Sequence, residues 1–310
     1  MDIITSTKNE KIKNVAALLK SKKERDAQKL FVVEGMRITR DALRSAAGLI
    51  TQIYVSETFF HDAARHTYSE FETAGFPEQL PVTVVADHVF TAMSETVTPQ
   101  GILCVVRQPE YTYADIVRGE MTDTTPAAGM VQGANSVPAV GMAQDAASVS
   151  ATGTKTGGGI QPLHLLILED IQDPGNLGTM VRTAEAAGMD GIIMSRGTAD
   201  IFSPKVIRST MGGIFRMPFI YTENLCETIR NLQSDGVSVY AAYLRDGRDF
   251  RDVDYPARSA IMIGNEGNGL TDEAVGCADA NVFIPMQGEV ESLNAGVAAA
   301  LIMYEMGRKG

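Results

Sequence analysis

Three stretches of the 310-residue sequence concentrate groups able to handle charge. The first is Asp170-Ile171-Gln172-Asp173-Pro174-Gly175-Asn176-Leu177-Gly178, followed by Thr179-Met180-Val181-Arg182-Thr183-Ala184. Its Pro-Gly turn places Asn176 as the N-cap of a helix. Gly178 leaves room for close approach by a ligand or another chain. Arg182 lies inside an otherwise small and apolar helix, where a guanidinium calls for an anionic partner: a carboxylate of the fold or a substrate phosphate. The second stretch, Ile261-Met262-Ile263-Gly264-Asn265-Glu266-Gly267-Asn268-Gly269-Leu270, ends a buried strand in a glycine-rich turn with one carboxylate. Backbone N–H and C=O groups exposed in such a turn can hold a ligand without side chains. The pattern is not the GxGxxG of dinucleotide sites. The third stretch runs Phe283-Ile284-Pro285-Met286-Gln287-Gly288-Glu289-Val290-Glu291-Ser292-Leu293-Asn294 into Ala295-Gly296-Val297-Ala298-Ala299-Ala300. Ser292 suits the N-cap of a last helix. The small residues after it imply close packing, against the sheet or against a second subunit.

These stretches need a scaffold, and the pattern from residue 161 onward supplies one. Strand-like runs (Leu163 to Leu168, Gly191 to Ser195, Pro218 to Tyr221, Val237 to Ala242, Ala260 to Ile263, Val282 to Ile284) alternate with helical ones. The helices are expected at Leu177 to Ala187, Pro204 to Met211, Asn224 to Gln233 and Leu293 to Met306. Such alternation predicts an α/β fold with a parallel sheet covered on both faces, whose ligands bind at the carboxyl ends of the strands. Residues 1–109 read as a separate small α/β unit, with a Lys-rich helix at Ile12 to Leu19, strands at Phe31 to Val33, Ile53 to Val55, Val82 to Val85 and Ile102 to Val106, and a helix around Ile38 to Ala47. Residues 110–160 between them are rich in Gly, Ala, Ser and Thr with no apolar period, and are expected to be a flexible linker. Thr156-Gly157-Gly158-Gly159 lacks the Gly-Lys-Ser/Thr ending of a phosphate loop.

Composition narrows the function classes. Hydrophobic residues make up 45% and charged residues 21%, the balance of a folded domain. The longest apolar run falls far short of a membrane span, and no apolar stretch follows the charged N-terminus, so the cytoplasm is the expected compartment. Cys104, Cys226 and Cys277 make neither a disulfide framework nor a metal spacing and are expected as buried thiols. His61, His66, His88 and His164 form no ligand pattern either, so no metal is expected. The net charge of −11 argues against a polyanionic partner until its distribution is considered. Residues 1–44 hold seven Lys and four Arg against three Asp and three Glu, a local +5 on an acidic body.

In order and spacing the three loops resemble the signature motifs of the SpoU family of RNA 2′-O-ribose methyltransferases, within the SPOUT superfamily. Asn176-x-Gly178 with Arg182-Thr183-Ala184, Gly264-x-Glu266 with Gly269, and Ile284-Pro285-Met286 with Ser292-Leu293-Asn294 carry the likeness over 161–310. The N-terminal unit is similar to the L30e-like substrate-binding domain of rRNA-directed members, at Thr5-Ser6-Thr7-Lys8-Asn9, Phe31-Val32-Val33-Glu34-Gly35-Met36-Arg37 and Thr98-Pro99-Gln100-Gly101. The long linker departs from the family, whose two domains are joined more directly.

The resemblance implies a deep trefoil knot in the C-terminal sheet domain, S-adenosylmethionine as cofactor, RNA as substrate (rRNA favoured over tRNA) and a homodimer. It assigns Arg182, Asn176, Glu266, Ser292 and Asn294 to catalysis, and Leu244, Gly264, Ile284, Met286 and Leu293 to the cofactor pocket. Arg182 is the central residue; since a guanidinium is scarcely ever neutral, binding a phosphate and the developing alkoxide suits it better than acting as base. Lys22, Lys23, Arg25 and Arg37 are the candidate contacts to the RNA backbone. Two other readings are weaker. A non-catalytic RNA-binding protein with a decayed site would have lost an Arg, Glu or Asn of the three loops, and none is lost. A nicotinamide enzyme would need an early GxGxxG, which is missing.

Overall fold

The computed structural model describes residues 3–62, 80–119 and 161–309. Thr156-Gly157-Gly158-Gly159 and most of the expected linker lie outside them. In the C-terminal part, seven parallel strands stand in the order β7-β6-β5-β10-β8-β11-β9. They are β5 (Leu163–Leu168), β6 (Gly191–Ser195), β7 (Phe219–Thr222), β8 (Ser238–Ala242), β9 (Arg248–Asp249), β10 (Arg258–Ile263) and β11 (Ala280–Phe283). Every residue of β5 and all but the first of β10 is buried, which is why these strands read as continuous apolar runs. Helices Pro174–Ala186 and Ala295–Lys309 contribute to one large core, and helix Leu225–Ser234 to a second. Because all seven strands run the same way, the loops after β5, β10, β8 and β11 emerge side by side on one edge.

The N-terminal part holds a four-stranded sheet ordered β1 (Leu30–Glu34), β4 (Ile102–Arg107), β2 (Ile50–Ser56), β3 (Val82–Val85). β4 is antiparallel to both neighbours, and β2 and β3 are parallel. Asn9 caps helix Glu10–Lys20, which buries Ile12, Val15, Leu18 and Leu19 against the sheet. The two parts share a core: the Phe31 ring lies 4.9 Å from Phe202 and 6.3 Å from Phe215.

The structure corrects several expectations. The first ten residues of the expected linker contain helix Tyr113–Arg118, fixed by a capping box between Thr112 and Asp115. Ile116 and Val117 are buried with Leu163 and Leu165, and a Cβ on Gly191 would meet the Ile116 side chain at 2.6 Å. This helix is part of the C-terminal body. Cys226 and Cys277 form a disulfide, with Cα atoms 5.8 Å apart, and only Cys104 is free. Their separation of 51 residues hides the packing of helix Leu225–Ser234 on helix Asp272–Cys277 that joins them. Arg25, expected at an RNA surface, is buried. It donates to Asp200 at 2.6 and 3.0 Å and to the Leu18 and Leu19 carbonyls at 2.5 and 3.1 Å. It ties the two parts together and is not available to RNA.

Candidate active site

Glu266 stands at the centre of the three loops. Its Oε1 accepts from the Asp173 N–H at 3.1 Å and from Asn176 Nδ2 at 3.0 Å; its Oε2 accepts from the Gln172 N–H at 3.1 Å. Asn176 passes the connection on, with Oδ1 accepting from Asn294 Nδ2 at 2.9 Å. One carboxylate and two amides thus tie the loops after β5, β10 and β11, residues 118 positions apart, into one unit. Burial pushes the Glu266 carboxyl up, but the hydrogen bonds from Asn176, its own N–H, Gln172 and Asp173 outweigh this and hold it below its ordinary value of 4.5. It is therefore an ionised acceptor in neutral solution.

Helix caps fix the relay residues. Asp173, followed by Pro174 at the first helical position, caps helix Pro174–Ala186 by accepting from the Asn176 N–H at 2.8 Å. Asn176 therefore lies in the first turn, not at the cap expected for it, and its side chain is free to join Glu266 to Asn294. The last helix starts at Ala295, two residues later than expected. Asn294, not Ser292, accepts from the N–H groups of Gly296 and Val297 at 2.9 and 3.3 Å. Ser292 is exposed and makes no hydrogen bond to a relay residue.

Arg182 projects from the exposed face of helix Pro174–Ala186, with no hydrogen bond or ion pair to any described residue. Of the two partners the sequence left open, the carboxylate of the fold is therefore excluded within the described chain. Gly178 admits another part of the same chain: a Cβ there would meet Ser209 Cβ at 2.3 Å and the Val206 carbonyl at 2.8 Å. The small residues of the last helix have a similar cause. Gly296 faces Thr179 and Asn176, and Ala299 is fully buried, so this face packs against helix Pro174–Ala186 within the subunit. The opposite face leaves Val297, Leu301 and Tyr304 49%, 43% and 56% exposed.

The residues expected to hold a cofactor occupy the loops after three adjacent strands. Leu244 follows β8 and is 71% exposed; Gly264 follows β10; Ile284 and Met286 follow β11 and are half-buried, as is Leu293. Gly264 must be glycine because a Cβ would lie 2.2 Å from the Gly269 carbonyl carbon and the Leu270 nitrogen. Among the described residues, no backbone N–H or C=O from Met286 to Leu293 has a hydrogen-bond partner. Open backbone donors and acceptors beside apolar side chains can grip a flat heterocycle.

The sequence reading missed Asn265. Its Oδ1 accepts from the N–H groups of Gly267 and Asn268 at 2.9 and 3.0 Å, and its Nδ2 donates to the Asp170 carbonyl at 2.8 Å. The signal was an Asn two residues before a Gly, the pattern of an Asx turn. Of the remaining RNA candidates, Lys22 pairs with Asp26 at 2.7 Å, while Lys23 and Arg37 are exposed and unpaired among the described residues.

The chain has relatives among known proteins. The model of the SpoU rRNA Methylase family matches residues 164–304, and that of the MRM3-like substrate binding domain matches residues 9–104. The chain is 31% identical to the 23S rRNA (guanosine(2553)-2′-O)-methyltransferase RlmP of Bacillus subtilis strain 168, over 99% of each chain. It is 39% identical over 147 residues to a putative TrmH family tRNA/rRNA methyltransferase of Staphylococcus aureus strain COL, 47% of this chain and 59% of that relative. Among solved structures, the AdoMet-bound rRNA methyltransferase from Sinorhizobium meliloti aligns with a TM-score of 0.72 at 27% identity, covering 99% of this chain and 97% of that one. With full-length similarity added to the three loops, the chain belongs to the SpoU rRNA methylase family.

Proposed function

We propose that the chain methylates a ribose 2′-hydroxyl of 23S rRNA with S-adenosylmethionine, as a cytoplasmic homodimer. The observation that carries this reading is the Glu266–Asn176–Asn294 relay: it brings three distant loops together at the first turn of helix Pro174–Ala186, which also carries an arginine that no described residue pairs with. S-adenosylmethionine, when bound, supplies a methyl group on a sulfonium. Leu244, Ile284, Met286 and Leu293, with the backbone around Gly264, are assigned to hold it; the unpaired backbone of Met286 to Leu293 fits that task.

Arg182 binds the phosphate beside the target ribose and stabilises the oxyanion that develops as the 2′-hydroxyl loses its proton. The proton leaves to that phosphate or to water. Glu266, Asn176 and Asn294 position the loops, and Ser292 is assigned to orient the hydroxyl. We read the insertion of β10 between β5 and β8, with the last helix returning to helix Pro174–Ala186, as the deep trefoil knot. The exposed Val297, Leu301 and Tyr304 face is read as the dimer contact. The N-terminal sheet is read as an L30e-like RNA-binding domain, with Lys22, Lys23 and Arg37 as phosphate contacts.

Calorimetry against S-adenosylmethionine and NAD, followed by mapping of ribose methylation on 23S rRNA with and without the protein, tests the assignment. Binding of NAD alone, or an unchanged methylation map, overturns it.

A further inference from the structure

Glu169, the residue after β5, belongs to none of the groups assigned above, yet it touches both ends of the loop 264–270. Its N–H donates to the Ile263 carbonyl at 2.9 Å, fixing the end of β10 where the loop begins. Its side chain reaches the other end: Oε1 accepts from Thr271 Oγ1 at 2.7 Å, and Oε2 accepts from the Thr271 N–H at 2.8 Å. Thr271 uses its hydroxyl twice, since Oγ1 also accepts from the Ala274 N–H at 3.2 Å and so caps helix Asp272–Cys277. The Glu169 carboxyl turns the hydroxyl hydrogen away from the cap and leaves a lone pair there for Ala274.

Between those ends the loop is an arch. Residues 266–269 are exposed, whereas Gly264, Leu270 and Glu169 are buried. The two feet of the arch press together, the Gly264 Cα against the backbone joining Gly269 to Leu270, and the Gly269 N–H donates to the Asn265 carbonyl at 2.9 Å. Glu266 ties the crown to Gln172, Asp173 and Asn176, on the side of the catalytic helix. Glu169 ties the feet, and the feet set the path of the backbone around Gly264. A ligand that must order a loop as it binds loses affinity to that ordering, so feet fixed in advance favour binding.

We infer that Glu169 is a positioning residue for methyl transfer: by stapling both ends of the loop 264–270, it preshapes the backbone around Gly264 that receives S-adenosylmethionine. Glu169 acts through Ile263 and Thr271 rather than on the reactants. Its loss therefore falls on cofactor affinity, whereas the transfer step depends on Arg182 and the Glu266 relay. The inference rests on the reading of that backbone as the cofactor pocket.

The test titrates the full chain with S-adenosylmethionine by calorimetry and measures KM and kcat for methylation of 23S rRNA. Glu169→Leu fills the same space and removes both acceptors; Kd and KM for S-adenosylmethionine should rise about tenfold, with kcat kept within about twofold. Thr271→Val removes one of the two bonds at an exposed position and should weaken binding about threefold. The double variant should fall no further than about tenfold below the parent, because both changes cut the same staple. Glu169→Gln offers its oxygen to the Thr271 N–H and its amide to Oγ1, and should return to within about threefold of the parent. Unchanged affinity in Glu169→Leu overturns the inference. So does a fall in kcat at unchanged KM, the mark of a smaller folded fraction, and so does a Gln variant as weak as the Leu one. A parent chain that binds no S-adenosylmethionine overturns the pocket reading and this inference together; a parent that binds it no better than Glu169→Leu does overturns the inference alone.

Discussion

Replacing Glu266 by Gln isolates the electrostatic part of the relay, because shape is kept and charge is lost. Oε1 takes two of the three hydrogen bonds and Oε2 the third, from the Gln172 N–H. A glutamine oxygen in the Oε1 position keeps two of them as neutral bonds and turns an NH2 group toward the Gln172 N–H, donor against donor. Losing a charge-assisted bond costs about 1.5–3 kcal/mol, and each remaining bond weakens by about 1 kcal/mol. The site is exposed, so water offsets much of this, leaving a net loss of about 1–2 kcal/mol, or about 5–30-fold in rate. The assay is single-turnover methyl transfer to rRNA, with the melting temperature followed in parallel. The rate should fall about tenfold, and the melting temperature by no more than about 4 °C. Asn176→Ala interrupts the same relay, so the double variant should lose little more than either single one. Because the native carboxyl sits below 4.5, the stabilisation it supplies is fully present above that value. It fades as pH falls through the lowered native value. Glu266→Gln should remove that acid limb of the stability profile and leave the neutral range flat. A rate within twofold of the parent, or strictly additive losses, would refute the positioning role.

Arg182→Lys keeps the charge but not the planar fork; turnover should drop at least about tenfold, and a lysine enzyme of near-normal rate would end the case for a guanidinium. Arg25→Ala leaves Asp200 buried without its partner and should lower unfolding stability by about 3–5 kcal/mol in urea. Adding Asp200→Ala should restore part of that. Gly178→Ala sets a Cβ against Ser209 Cβ and the Val206 carbonyl, a loss of about 1–3 kcal/mol; Ser209→Gly in the same background should recover only the side-chain share. Leu301→Asp with Tyr304→Asp should give a monomer in sedimentation, and an unchanged dimer would rule out that helix face.

Much of the architecture was legible because it follows from short-range periodicity. β3, β5 and β6 begin and end where the apolar runs do. Short elements such as Lys22–Gln28, Asp87–Met93 and Asp272–Cys277 escaped, since six or seven residues hold less than two turns of pattern. At the site, residue types were readable and local roles less so. Asn176 and Ser292 both look like caps, but the neighbouring Asp173 and Asn294 hold the cap geometry.

Sequence alone determined an alternating α/β chain, its buried strands, and which loops carry the acidic, amide and guanidinium groups, because these depend on residues within a turn or two of each other. Tertiary structure alone decided that β10 lies between β5 and β8, that Arg25 is buried while Arg182 has no partner among the described residues, and that Cys226 meets Cys277. Each of those facts depends on which distant segments become neighbours when apolar faces are buried; periodicity marks the face that is buried, but burial is non-directional and the choice of partner leaves no local mark.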